Sequence, residues 1–389
     1  MKFTRKIFFG FLLFVQSALC VSAGETNFIP VITAGPNATV LKNGKTFRGI
    51  GVNYFDCFLR TLRNPADISY DAGFSVLASK GIPFARFSAG GQWPKDMRLY
   101  QTNRAEYFRR LDEVVKAAAQ HGVGLVPSFF WNYSCVPDLV GEPMDQWGNP
   151  KSKTRAWMRD YVREVAERYH DNPTIWAWEF GNEFSLNACL PNASEHRPHG
   201  DPAFTNATGR TTHDDLTFGM INAAFTDFAR VVRTFDSHRL IFTGDSFPRV
   251  SAWHQQHENN WMKDSPEQFA EILAGANPNP ISGISLHAYE DEDEQRLPQA
   301  MLVSRTLNKP IFIGEFGVPG ETALAKANFH KLLESIVANE IPLAALWVFD
   351  FGRQPNYNVT AENVRSWQLE TIAEANKKLQ KTAAKSKHR

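Results

Sequence analysis

The chain has 389 residues, 43% of them hydrophobic and 13% aromatic, which is enough apolar side chain for one large globular domain or two ordinary ones. Its 42 basic and 41 acidic residues are interspersed and leave a formal net charge of +1, so nothing in the charge points to nucleic acid as a partner. The four cysteines show no CxxC spacing, which argues against a structural zinc site.

Residues 1–23, MKFTRKIFFGFLLFVQSALCVSA, begin with basic side chains, carry an apolar run from Ile7 to Val15 and present small residues at Val21 and Ala23. This is the layout of an export signal peptide. The run is shorter than the ~20 residues a membrane span requires, and Leu19 is bulky for the position before a lipid-modified Cys20. The mature chain is therefore expected to be secreted or periplasmic, free of the membrane after cleavage. An oxidising destination permits one disulfide among Cys57, Cys135 and Cys189. Sequons at Asn37, Asn132, Asn192, Asn206 and Asn358 matter only in a host that glycosylates.

Eight short apolar runs follow, at 47–53, 83–87, 124–130, 174–180, 240–243, 281–286, 310–313 and 344–349. Between them, apolar residues recur at helical spacing, as in Tyr107, Phe108, Leu111, Val114, Val115 and Ala118, and again in Trp157, Tyr161, Val162, Val165 and Tyr169. Eight strand–helix units predict an α/β fold, a single-domain (β/α)8 TIM barrel over residues 24–380 with a basic C-terminal tail at 381–389. A dinucleotide-binding sheet is disfavoured because no GxGxxG turn follows the first strand. Cys135 and Cys189 lie just beyond the third and fourth strands, whose loops rise side by side in such a barrel, so a Cys135–Cys189 disulfide is predicted.

A barrel of this kind carries its reactive groups where the strands end. The first strand delivers Asn53, Tyr54 and Asp56, the second Arg86, and the third Trp131 and Asn132. Asn182 and Glu183 end the fourth, and Asp245 the fifth. His287 and Tyr289 follow the sixth, Glu315 lies at the seventh, and Trp347 and Asp350 follow the eighth. Two carboxylates on separate strands, bordered by Arg, His, Tyr, Asn and Trp, have the composition of a glycosidase centre: one acid protonates the departing oxygen while the other attacks or stabilises the anomeric carbon. Trp93, Tyr54, Trp131 and Phe349 are candidates for outer sugar sites. Asp245 and Asp350 suit either a sugar hydroxyl or a rim salt bridge. The acidic run 290–294 suits either calcium or the start of a helix.

The motifs FGNEF after the fourth strand, LHAY after the sixth, IFIGEFG at the seventh and LWVFDF after the eighth resemble the clan A glycoside hydrolases. The similarity is greatest to the cellulase family, family five, which includes cellulases and mannanases. The resemblance implies Glu183 as acid/base and Glu315 as nucleophile of a retaining enzyme. It also implies Arg86 supporting the nucleophile, His287 and Tyr289 lining the sugar site, and Trp347 beneath the sugar; Asn182, by its chemistry, suits either a sugar hydroxyl beside the reacting carbon or a cap on its own loop. Trp131 and Asn132 stand where many relatives carry a histidine, so the sugar contacts on that side differ. The expected partner is a β-linked glucan or mannan, or its oligosaccharides, bound by a monomer without cofactor or metal. A metal-dependent barrel hydrolase would need an HxH cluster where this chain reads GVNYFD. A carbohydrate-binding protein on the same barrel and an exo-acting β-glycosidase remain the alternatives.

Overall fold

A computed structural model describes residues 31–199, 209–289 and 291–385. The predicted signal peptide lies outside the described residues. Three short strands come first: β1 (Ile32–Ala34), β2 (Val40–Lys42) and β3 (Lys45–Phe47) form an antiparallel sheet of their own. Then follow β4 (Gly49–Asn53), β5 (Phe84–Ser88), β6 (Gly124–Phe130), β7 (Ala177–Gly181), β8 (Leu240–Phe242), β9 (Ile284–Ala288), β10 (Ile311–Phe316) and β11 (Leu343–Leu346). These eight pair in parallel in the order β8-β7-β6-β5-β4-β11-β10-β9. At the seam, the Ser282 and Gly283 amides donate to the Ile241 carbonyl at 3.0 and 3.2 Å, and the Gly244 amide donates to Ser285 Oγ at 2.9 Å. The result is the nearly closed (β/α)8 barrel expected from the sequence, each predicted strand overlapping an observed one.

The outer helices begin where side-chain caps dictate. Ser152 accepts from the Arg155 amide at the start of Lys153–Tyr169, and Ser265 and Gln268 form a capping box at the start of Pro266–Gly275. Their predicted apolar faces are buried against the barrel, with Tyr107, Val114, Tyr161, Val162 and Phe228 fully covered. The acidic run opens the helix Asp291–Leu307, as a helix start requires. Glu292, Asp293 and Glu294 are each paired with a base, Lys263, Arg296 and Lys331 respectively. The last helix, Trp367–Lys385, continues into the basic C-terminal stretch.

Strand side chains alternate between two environments. Trp178, Phe180, Ile241 and Ile313 face the helices, whereas Phe84, Val126, Ala177, Phe242 and Phe312 fill the barrel interior. The interior cluster also contains Ile32, Val40 and Phe47, so the β1–β3 sheet plugs the bottom of the barrel. Sequence reading passed over this sheet and ran its first strand through Arg48. The signal was present in VLKNGKTF: Asn43 and Gly44 take φ of 50° and 72°, the left-handed pair of a tight hairpin.

The expected disulfide is not formed. Cys57, Cys135 and Cys189 are free thiols. Cys135 opens the helix Cys135–Val140 with its side chain buried in the core, while Cys189 is held in a left-handed conformation (φ 55°) with its amide bonded to the Leu216 carbonyl. The bracing between the two loops comes instead from Arg210, whose guanidinium grips both oxygens of Asp138 at 2.8 Å.

Phe47 is 6% exposed and packs edge-on to Trp176 with ring centroids 5.8 Å apart. Phe47→Ala should open a cavity in the plug and lower the unfolding free energy by about 3 kcal/mol in urea titrations. A loss below about 1 kcal/mol would show that the plug does not support the barrel.

Candidate active site

The barrel interior changes character two residues up each strand. Phe84, Val126 and Ala177 form the apolar layer, and the side chains following them on the same face are Arg86, Ser128 and Glu179. Arg86 is fully buried and stands at the centre. Its Nε donates to Glu179 Oε1 at 2.7 Å, and its Nη1 to Glu315 Oε1 at 2.7 Å and Asn53 Oδ1 at 3.0 Å. Its Nη2 donates to Asn182 Oδ1 at 2.9 Å, and the Trp131 ring covers the guanidinium at 4.5 Å. Burial works against the Arg86 charge, but the two carboxylates outweigh it and hold the guanidinium pKa above its ordinary value.

Glu315 is 4% exposed, and its second oxygen accepts from the Tyr289 hydroxyl at 2.6 Å. Both oxygens therefore have donors, one of them charged. Burial first, and the Glu315 charge second, push the Tyr289 phenol well above its usual range, so it keeps the proton it donates. The Asn53 amide also fixes β10, donating to the Gly314 carbonyl at 2.8 Å.

Glu183 sits differently. After β7 the chain turns sharply, with Glu183 in the left-handed region (φ 55°, ψ 31°) and its amide bonded to the Gly244 carbonyl at 3.0 Å. The turn packs so closely on the end of β8 that a Cβ at Gly244 would lie 1.9 Å from the Gly181 carbonyl oxygen; Gly244 itself takes φ of 78°. The Glu183 side chain is 31% exposed, and its Oε1 lies 2.8 Å from His287 Nδ1. Burial lifts the Glu183 carboxyl above the ordinary range, against the pull of Arg86. His287 is pulled down to about 4, chiefly by burial, so its ring is neutral at neutral pH. One atom each of Glu183, His287 and Glu315 lie within 4.8 Å of one another. That trio has a metal-ligating composition, but a cation there would face the Arg86 charge 2.7 Å from Glu315.

The structure thus brings together Arg86, Asn182, Glu183, His287, Tyr289 and Glu315, with Trp131 above Arg86. Trp347 stacks on Trp131 at 5.8 Å and 23°, and Phe55 packs against both. Trp131 and Trp347 are only 8% and 7% exposed. Other expected residues fall elsewhere. Asn132 engages its side-chain oxygen with Ser134, in the turn leading into Cys135–Val140. Tyr54 and Phe349 are core residues in mutual contact, and Asp350 forms the rim salt bridge, with Arg60 at 2.9 Å. Trp93 is half-buried at the head of a short helical turn. Asp245 is buried rather than on the rim and forms no salt bridge among the described residues: it is 2% exposed and accepts from the Ser185 amide at 3.0 Å, bracing the Glu183 loop.

Sequence reading missed two residues. Glu179 was taken as part of a packed strand, although a glutamate inside a strand buried on both faces requires a buried partner. Trp261, 51% exposed, lines a cavity of about 390 Å³ that also reaches Glu183, His287 and Tyr289. Its place in the short connection between the helices Ala252–Glu258 and Pro266–Gly275 gave no periodic signal.

A barrel whose strand ends converge two glutamates, one held by an arginine and a tyrosine and the other partly exposed beside a neutral histidine, has the arrangement expected of a glycoside hydrolase centre. Residues 41–351 match the cellulase family (glycosyl hydrolase family 5), and the chain belongs to that family of retaining glycoside hydrolases. Among curated proteins it is 28% identical over 168 residues to mannan endo-1,4-beta-mannosidase F of Aspergillus clavatus, a match covering 38% of this chain and 37% of the relative. Mannan endo-1,4-beta-mannosidase A of Hypocrea jecorina is 29% identical over 167 residues, with the same two shares. The matched stretches thus span little more than a third of these curated relatives. Among solved structures, the endo-1,4-beta-mannanase of Rhizomucor miehei superposes with a TM-score of 0.66 at 18% identity, over 90% of this chain and all of that one. An exo-beta-1,4-mannosidase from Opitutaceae bacterium strain TAV5 gives 0.62 at 17%, over 90% of this chain and 63% of that one. At such identities the superpositions show the shared fold.

Burial pushes the Asp245 carboxyl up to about 7, against an unfolded value of about 3.9. The folded state therefore holds this proton more tightly, so the stability contributed by Asp245 is fully present below about pH 4 and is lost as pH rises through about 7. Asp245→Asn keeps the acceptor for the Ser185 amide and should flatten that part of the profile of unfolding free energy against pH. An unchanged slope between those limits would mean that Asp245 ionises freely in the folded protein.

Proposed function

We propose that this chain is a secreted retaining β-glycosidase that hydrolyses β-linked mannan or glucan by double displacement. Glu315 acts as nucleophile, and Glu183 acts as acid and then base. The observation that carries this reading is the spacing: oxygens of Glu183 and Glu315 lie within 4.8 Å. Carboxyl groups roughly 5–5.5 Å apart leave no room for a water between sugar and base, so the second carboxylate must attack the sugar itself. Arg86 and Tyr289 donate to the two oxygens of Glu315 and hold it in place for that attack, while burial raises the Glu183 carboxyl and so favours the protonated form needed for departure of the leaving oxygen. Once the glycosyl ester forms, the Glu315 charge is gone and Glu183 can ionise to activate water. The names of the fungal relatives favour a mannan over a glucan. Export is supported by the N-terminal leader, and no helix among the described residues is long and apolar enough to cross a membrane.

The cavity beside Glu183 lies on the side from which the leaving group takes its proton, and the exposed Trp261 ring offers it a face on which an apolar sugar surface can stack. Exo action is favoured by a different observation. Trp131 and Trp347 are almost wholly covered by each other and by Phe55, which leaves little ring face for a further sugar. Product length from purified β-mannans separates the two modes. Single sugars from the outset mark exo action, and a ladder of oligosaccharides marks endo action.

Glu315→Ala should nearly abolish turnover, and rescue by azide should give the α-glycosyl azide. Glu183→Ala should still form the glycosyl ester from an activated aryl glycoside, release it to azide as the β-glycosyl azide, and lose the basic limb of the pH profile. A wild-type enzyme with no activity on β-linked mannan, glucan or their oligosaccharides would leave only the carbohydrate-binding reading.

A further inference from the structure

We propose that Glu179 is a positioning residue that divides the charge of Arg86 and thereby sets the pH range in which Glu183 and Glu315 hold opposite protonation states. The inference rests on the double-displacement reading above and concerns the layer beneath it.

Glu179 points into the barrel from β7 and is fully buried. Its Oε1 accepts from Arg86 Nε at 2.7 Å, the same distance at which Arg86 Nη1 meets Glu315. One guanidinium thus bridges two carboxylates, only one of which can reach substrate. The other Glu179 oxygen is buried with no hydrogen bond of good geometry among the described residues, as is Oδ2 of Asp245, and burial raises the Glu179 carboxyl against the pull of Arg86 and of the Ser128 hydroxyl. The Glu179 carboxyl carbon lies 3.0 Å from where a Cβ of Gly244 would stand, so the glycine before Asp245 provides the room for this carboxylate.

Among the described residues, the charged and titratable groups that act on Glu179 are Arg86 from β5, Glu315 from β10 and Asp245 from the end of β8. Ser128 on β6 completes the ring. In this dry interior, Coulomb interactions act at several times their strength in water. If Arg86 faced Glu315 and Glu183 alone, its full charge would stabilise both anions. The nucleophile would be less basic and the acid would lose its proton at lower pH. A second carboxylate on Nε offsets that charge and anchors the guanidinium plane, so that Nη1 and Nη2 reach Glu315 and Asn182 together.

Glu179→Gln preserves the shape and the acceptor for Arg86 Nε while removing the charge. The test is kcat/KM against pH on a manno-oligosaccharide for the purified wild type and variant. Both limbs of the bell should move to lower pH by about one unit, as expected for losing one nearby negative charge, with KM nearly unchanged. A folded variant whose bell keeps its position while its height falls at every pH would show a purely structural role and overturn the proposal. Should the variant fail to fold, carboxyl carbon NMR of the wild type decides: Glu179 must stay ionised throughout the active range, and a protonated Glu179 there overturns it. A wild type without a two-limbed profile would sink both this inference and the mechanism on which it rests.

Discussion

The buried guanidinium of Arg86 is the interaction on which the site depends. It lies in the barrel with no exposed surface, bound to Glu179, Glu315, Asn53 and Asn182. A charge so placed is tolerable only if every donor is matched, and removing a partner from such a pair costs about 3–5 kcal/mol. Three strands are therefore tied to β5 by one side chain. Asn53 comes from β4, Glu179 and Asn182 from β7 and the turn after it, and Glu315 from β10. The geometry of the candidate site and the closure of the upper barrel are the same set of hydrogen bonds.

The layer below makes this possible. Phenylalanines 84, 242 and 312 and the plug residues Ile32, Val40 and Phe47 seal the barrel bottom. With water excluded from beneath, hydrogen bonds to Arg86 gain strength from the low dielectric. The strand period of two then places the polar layer directly above the apolar one. The two glutamates inherit different surroundings from their positions. Glu315, within β10, is held by two donors, whereas Glu183, on a left-handed turn beyond β7, stays partly open to the cavity and depends on a neutral histidine. That difference in placement is what the proposed division of roles between the two glutamates rests on.

The barrel was legible because its signal is repeated. Eight apolar runs separated by helical stripes admit few other arrangements, and each strand end announced itself through a polar residue after an apolar run. That Glu183, Glu315, Arg86, His287 and Tyr289 meet at one end of the barrel was readable for that reason. What escaped lacked a local signature or had one that was overlooked. The plug strands are three residues each, too short for a period, although Asn43–Gly44 marked their turn. Glu179 shows its pairing only when β5 lies beside β6 and β7 beyond it. Tyr54 and Phe349 ended strands as Trp131 does, yet pack away from the site. The predicted disulfide failed because adjacent loops do not fix side-chain direction: Cys135 turns into the core, and the loops meet through Arg210 and Asp138 instead.

The central claim is that the carboxylate gripped by Arg86 and Tyr289 bonds to the sugar. It is tested most directly by incubating the enzyme with a 2-deoxy-2-fluoro β-mannosyl fluoride, whose fluorines slow the second step and speed the first, followed by peptide mass spectrometry. The labelled peptide should carry one fluorosugar on Glu315, with loss of activity in proportion to labelling. A label on Glu183, or turnover that releases the α-anomer first with no labelled peptide, would contradict it.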